Sequence, residues 1–257
     1  MLWSHTAFET FEWCPRWFKH QYVLRDIPRK QTEEALRGDL AHQLAEKFIH
    51  WRMALKRPAT KDEVMAWLDG QVGDVEERDG DVTSIHLDAA WLVENALPAF
   101  KRVFTLLDQA DEWGTETTHY YDANFDPVQK PDVQYEFETP DFFIRKADLW
   151  ARVGRKLYFW DWKTGKRFPK WQQLKLYGML ALSNHPTVQE VEGRFVWMAL
   201  GGAEDVDSWA SGPLHLEMGQ TLASRIAQVR REKLFEETPG KPNCDWCPVK
   251  DCAKRLK

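Results

Sequence analysis

Between Pro140 and Lys163 the chain carries two apolar runs separated by Gly154 and Arg155, and this stretch limits the possible folds more than any other. The first run is Phe142-Phe143-Ile144-Arg145-Lys146-Ala147-Asp148-Leu149-Trp150, continuing to Val153. The second is Leu157-Tyr158-Phe159-Trp160-Asp161-Trp162-Lys163. Aromatic and β-branched residues around a glycine-first dipeptide predict a β-hairpin closed by a type II′ turn. The turn sets the register: Val153 faces Lys156, and counting outward puts Asp148 opposite Asp161. Directly opposed side chains share a face, with Cβ atoms roughly 4.5–5.5 Å apart. Lys163 lies two residues beyond Asp161 and shares that face. Two carboxylates and an ammonium are therefore expected together at one end of a sheet.

Like carboxylates this close repel unless a cation lies between them. Mg²⁺ or Mn²⁺ meets that need, because a hard divalent ion takes carboxylate oxygens, keeps water and shares substrate phosphates. Such an ion stabilises developing charge and lowers the pKa of a bound water. Lys163 is placed to hold that water or to neutralise charge in the transition state. The plainer alternative is an exposed cross-strand aspartate pair beside a lysine.

Around the hairpin, aromatic residues from Phe8 to Tyr22 predict a helix over 4–24, and residues 32–55 read as a long helix with Glu33 and Glu34 in its first turn. Amphipathic stretches follow at about 61–70 and 87–109, with a polar, acidic loop over 71–86. Beyond the hairpin, the pattern predicts a helix over 169–184, a strand from Val191 to Ala199, a helix over 217–236 and a cysteine-bearing tail from Pro239. Helices flanking a small sheet make an α/β or α+β domain. No run of about 18 apolar residues is present and no basic-then-apolar leader opens the chain, so a cytoplasmic protein without a membrane span is expected.

The net charge is −5, yet Arg145 to Lys175 contains ten basic residues and only two acidic ones. Such a strip can bind phosphates, or it can be an ordinary solvated surface. The 14 tryptophans are expected mostly in the core. Cys14 stands near one end, while Cys244, Cys247 and Cys252 crowd the other. In a reducing compartment this spacing favours a metal or cluster site over disulfides.

On the long helix, Gly38, His42 and Glu46 fall four apart on one face. With them the chain carries, in order, Gly38-x3-His42, Ala147-Asp148, Asp161-Trp162-Lys163-Thr164-Gly165 and Gln173-x3-Tyr177. This order resembles the RecB-type nucleases of the PD-(D/E)XK superfamily. Ser4-x9-Cys14-Pro15 and Cys244-x2-Cys247-Pro248 resemble its iron–sulfur exonuclease branch, which includes the AddB nuclease domain and the CRISPR-adaptation exonucleases. Cys247-x4-Cys252 is one residue shorter than that branch's usual spacing. The resemblance implies a restriction-endonuclease-like α/β core: a small central mixed sheet flanked by helices, an N-terminal helical region and a C-terminal cysteine-bearing tail. It implies one domain over 1–257, with a helical, acidic insertion at about 60–135 and a tail at about 239–257 packing against 4–24.

By the same resemblance, His42, Asp148 and Asp161 bind Mg²⁺ or Mn²⁺, Lys163 is catalytic, and Gln173 and Tyr177 orient the site and contact substrate. Cys14, Cys244, Cys247 and Cys252 would hold a [4Fe–4S] cluster, with zinc as the alternative. The implied activity is hydrolysis of DNA phosphodiester bonds, as an exonuclease in recombination or end processing, with partners of recombination or CRISPR type. The competing reading is a non-motor DNA-binding subunit of a larger complex with little cleavage of its own.

Overall fold

The computed structural model describes residues 1–27, 33–72, 97–131 and 140–232, together with Phe235, Cys244, 247–249 and Cys252. At its centre is a mixed seven-stranded sheet: β1 (Leu2–Trp3), β2 (Glu112–Tyr121), β3 (Pro127–Val128), β4 (Phe142–Val153), β5 (Lys156–Lys163), β6 (Glu190–Trp197) and β7 (Ala203–Ala210). The order is β3-β2-β4-β5-β6-β7, with β1 beside β4. β1 with β4 and β5 with β6 pair parallel, and the other pairs are antiparallel. The hairpin has the expected register, from Val153↔Lys156 to Leu149↔Trp160, and Gly154 takes the positive φ (+58°) that its turn needs.

The helices described are α1 (His5–Trp13), α2 (Pro15–Phe18), α3 (Glu33–Ala54), α4 (Lys61–Val72), α5 (Leu97–Leu107), α6 (Trp171–Leu182) and α7 (Ser211–Arg231). The parallel β5–β6 pair needs a crossover, which α6 supplies. On one face of the sheet α1, α2, α6 and α7 bury Phe8, Phe18, Leu180 and Leu222 against Phe143, Phe159 and Phe195. On the other, α3, α4 and α5 bury Ala45, Ile49, Leu68 and Val103 against Leu149, Trp160 and Trp162. The result is the expected α/β domain, a mixed sheet between two helical layers. Trp3, Trp160, Trp162 and Trp197 are fully buried, so the tryptophan excess serves packing at those positions.

Several elements differ from expectation. The helix expected over 4–24 breaks at Cys14, which is extended (φ −162°, ψ 110°) because the Pro15 ring disfavours helical backbone before it. Pro15 then starts α2, and a π-helical turn at Lys19–Leu24 ends at Arg25 with φ +55°. The last helix begins at Ser211, since Pro213 is tolerated in a first turn. Four strands went unpredicted, among them the two-residue β3. β1 is two residues long, while β2 and the edge strand β7 are rich in Thr, Glu, Asp and Ser and lack a clean apolar alternation. Residues 112–121 are thus part of the central sheet and not of a helical insertion.

Residues 73–96 of the expected acidic loop and following helix lie outside the described residues, as does most of the tail beyond Pro239. Where the C-terminal segment is described, Phe235 stacks on Phe18 at 6.3 Å. No helix among the described residues is long and apolar enough to cross a membrane.

Candidate active site

Helix α3 lies close on the sheet because the face it presents is small. Ala41 and Ala45 are buried, and a Cβ on Gly38 would come within 3.4 Å of Thr164 Oγ1. One turn on from Gly38, His42 Nε2 donates to the Trp162 carbonyl at 3.0 Å, while Nδ1 faces Asp148 Oδ1 at 3.4 Å and Glu116 Oε1 at 3.7 Å. One further turn on, Glu46 accepts a hydrogen bond from the Thr115 hydroxyl at 3.3 Å. The spacing of four along α3 therefore runs across β5, β4 and β2 in turn.

The sheet itself is altered at this level. Along β4, Phe143, Ala147 and Trp150 face one core while Leu149 and Ala151 face the other, so the alternation slips by one between Ala147 and Leu149. β2 slips with it: the Thr117 hydroxyl accepts from Trp150 Nε1 on the first side, whereas Thr115 meets α3 on the second. The β2–β4 ladder passes from Thr115↔Leu149 to Thr117↔Ala147 without a Glu116–Asp148 pair, and Glu116 has φ +48°. The β4–β5 ladder stops at Leu149↔Trp160, so Asp148 and Asp161 are not the ladder pair expected. Asp148 Oδ2 instead accepts the Trp162 amide at 2.7 Å. Asp148 thus sits where the ladders of β4 with β2 and with β5 both open.

Asp161 is reached from the opposite helical layer. It is buried, and Oδ1 accepts from Gln173 Nε2 at 2.7 Å, while the same nitrogen donates to the Tyr177 hydroxyl at 3.1 Å. Lys163 forms an ion pair with Oδ2 of Asp161 and lies over the Phe195 ring. Burial, then the charge of Asp148, pushes the Asp161 carboxyl up to about 6 against the pull of Lys163. At His42, burial disfavours the charged form, but Asp148, Glu116 and then Asp161 outweigh it and push the imidazole up to about 10. The carboxylates of the pocket thus favour a cation beside them, here the protonated His42.

The structure brings together every residue singled out for this site: His42 with Asp148, and Asp161 with Lys163, Gln173 and Tyr177. Sequence reasoning missed Glu116. One ligand atom each from His42, Glu116 and Asp148 lie within 4.8 Å of one another, whereas Asp161 is outside that set. Glu116 also pairs with Lys146 at 2.5 Å. An imidazole and two carboxylates on rigid elements fit a divalent ion of the Mg²⁺ or Mn²⁺ type. Only the pairing of β2 with β4 could have revealed Glu116, and β2 was not legible.

Burial pushes the Cys247 thiol up, and Cys14, Cys252 and Cys244 act in the same direction. None of the four cysteines forms a disulfide, and the C-terminal segment reaches the N-terminal one where Phe235 stacks on Phe18. The basic strip, by contrast, is largely neutralised. Arg152 pairs with Asp111 and Glu112, Lys156 with Glu190 and Glu192, Arg167 with Asp205, Lys170 with Glu9 and Lys175 with Glu217. Arg145 is buried over the Trp150 and Phe159 rings. A local excess in sequence is thus balanced by acids from elsewhere in the fold.

Residues 2–252 match the family model of the PD-(D/E)XK nuclease superfamily. A crystal structure from Eubacterium rectale, described as a "Putative exonuclease", aligns over 99% of this chain and 90% of its own, at 10% identity and a TM-score of 0.49. No curated protein matches the sequence.

Proposed function

Because the chain belongs to the PD-(D/E)XK nuclease superfamily, we propose that it is a Mg²⁺- or Mn²⁺-dependent deoxyribonuclease of the RecB-type, iron–sulfur branch, acting as an exonuclease in recombination or DNA-end processing in the cytoplasm. The observation that carries this reading is the meeting of His42, Glu116 and Asp148 beside the Asp161–Lys163 pair at the one level where the sheet opens. His42, Glu116 and Asp148 would hold the ion, with Asp161 beside them. When bound, a divalent ion supplies charge stabilisation at the phosphate and a more acidic water.

The chain's own groups do the rest. Gln173 donates to Asp161 and so fixes the carboxylate's orientation from α6. Tyr177 accepts from the same amide and restrains it in turn. Lys163, partly exposed at the end of β5, brings an ammonium to the substrate phosphate and the attacking water. Cys14, Cys244, Cys247 and Cys252 would hold a [4Fe–4S] cluster, with zinc as the rival occupant. Hydrolysis needs no redox change, so either metal would act as a clamp between the chain ends.

The test is a degradation time course on end-labelled single- and double-stranded DNA with Mn²⁺ or Mg²⁺. Progressive shortening from an end, lost in Asp161→Ala, is the expected result. Binding without any cut under either ion would replace the enzyme by a DNA-binding subunit.

A further inference from the structure

The seven residues 164–170 join Lys163, at the end of β5, to α6, which carries Gln173. Both ends of this connection are thus at the candidate active site, and Thr164 also meets Gly38 of α3. The connection is held at two points. Arg167 pairs with Asp205 of β7, and Lys170 pairs with Glu9 of α1 at 2.9 Å while lying over the Trp13 ring. Between these anchors Phe168 is 70% exposed, the most exposed large apolar side chain among the described residues. No ring contact to it is found among those residues. Neighbouring Lys166 is exposed and has no ion pair among them either.

A phenylalanine left in water on a loop fastened at both flanks gains nothing from packing. Its open face beside a cation suits a chain of flat groups on a negatively charged backbone, and a single DNA strand, with its bases and phosphates, is such a chain. Five residues after Lys163, it lies at most about 18 Å from that residue along the chain. That distance is within a few nucleotides of the phosphate to be cut.

We propose that Phe168 is a stacking platform for an unpaired base of the strand entering the active site, with Lys166 on the adjoining phosphate, so that single-stranded DNA is the preferred substrate. The inference rests on the nuclease reading above for where the strand must lie. Duplex bases are stacked on one another and offer the ring no free face, except at a terminal pair.

Binding without catalysis isolates the effect. Anisotropy of a labelled oligothymidylate in EDTA is measured for the unaltered protein, Phe168→Ala, Phe168→Leu and Phe168→Trp, beside a blunt duplex of equal length. Phe168→Ala and Phe168→Leu should each bind the single strand about tenfold more weakly, and Phe168→Trp should bind as well as the unaltered protein. Duplex affinity should stay within about twofold, and thermal midpoints should be unchanged because the side chain is exposed. The proposal fails if the unaltered protein does not bind the single strand, if Phe168→Ala binds it equally, or if leucine serves as well as phenylalanine. An equal loss on the duplex also overturns it. Cleavage with Mn²⁺ is scored separately. A protein that cuts DNA but is indifferent to Phe168 keeps its nuclease function and loses the platform. One that binds through Phe168 but never cuts does the reverse.

Discussion

Asp148 accepts the Trp162 amide as well as facing His42, so two substitutions should part these contacts. Asp148→Ala leaves a backbone N–H without its partner and should lose about 1–3 kcal/mol of stability along with cleavage. Asp148→Asn keeps an acceptor at that position and should unfold near the unaltered protein's midpoint. It should nevertheless cut DNA at least roughly a hundredfold more slowly, since a neutral amide is a poor ligand for a hard cation. Equal urea midpoints for the two variants would remove the structural role assigned to Oδ2. Glu9 gives a prediction in pH. Burial alone would raise its carboxyl, but hydrogen bonds from His5 and Lys170, and their charges, hold it down at about 2, against an ordinary 4.5. A carboxyl depressed by folding adds stability above its unfolded value, and the gain fades as pH falls toward the folded value. Glu9→Gln should therefore cost roughly 2 kcal/mol at pH 7, with the difference closing between pH 4.5 and about 2. Parallel urea curves for both proteins from neutral pH to pH 2 measure that gap. A gap that widened in acid would contradict the sign.

At the scale of elements, helix α6 depends on a close approach to β6. A Cβ on Gly178 would stand 2.6 Å from Val191 Cγ1 and 3.3 Å from Leu214 Cδ2. Gly178→Ala gains helix propensity of up to about 1 kcal/mol but overfills the contact, which typically costs about 1–3 kcal/mol. The net should be a loss of stability, and cleavage should fall with it because Gln173 and Tyr177 ride on the same helix. A higher urea midpoint for Gly178→Ala would show that the helix can shift freely. What could be read in the sequence follows element strength. The β4–β5 hairpin, the long α3 and the crossover helix α6 are patterned by their own residues, so they and the side chains they carry were legible. β2 owes its place to β4 and to α3, and its Thr and Glu residues advertise no core face. Glu116 was hidden for that reason. The pairing of Asp148 with Asp161 failed for a related one: turn geometry sets the register near Gly154, but it cannot foresee where a side chain replaces the ladder.

Across the whole molecule, the slip at Glu116 and Asp148 lets both helical layers serve one site, α3 through His42 and α6 through Gln173. The C-terminal segment meets the N-terminal helices elsewhere, where Phe235 stacks on Phe18, and the four cysteines lie in these two segments. Anaerobically purified protein should be brown from thiolate-to-iron absorption. Cys14→Ala or Cys247→Ala should lower the melting temperature, with activity falling mainly because less protein stays folded. A colourless protein holding zinc would exchange one clamp for the other, and a metal-free protein as stable as its Cys→Ala variants would leave the four thiols without a common role. The slip has one more consequence, which concerns the paths open to natural variation. In an ordinary strand valine outranks glycine by up to about 1 kcal/mol, but at position 116 the left-handed backbone (φ +48°) should invert that order. Glu116→Gly should unfold at higher urea than Glu116→Val, and the usual ranking would show that the strand can relax. Drift toward a sturdier sheet would therefore favour glycine at 116 and delete the carboxylate beside His42 and Asp148, so selection for endurance and selection for cleavage oppose each other at that position.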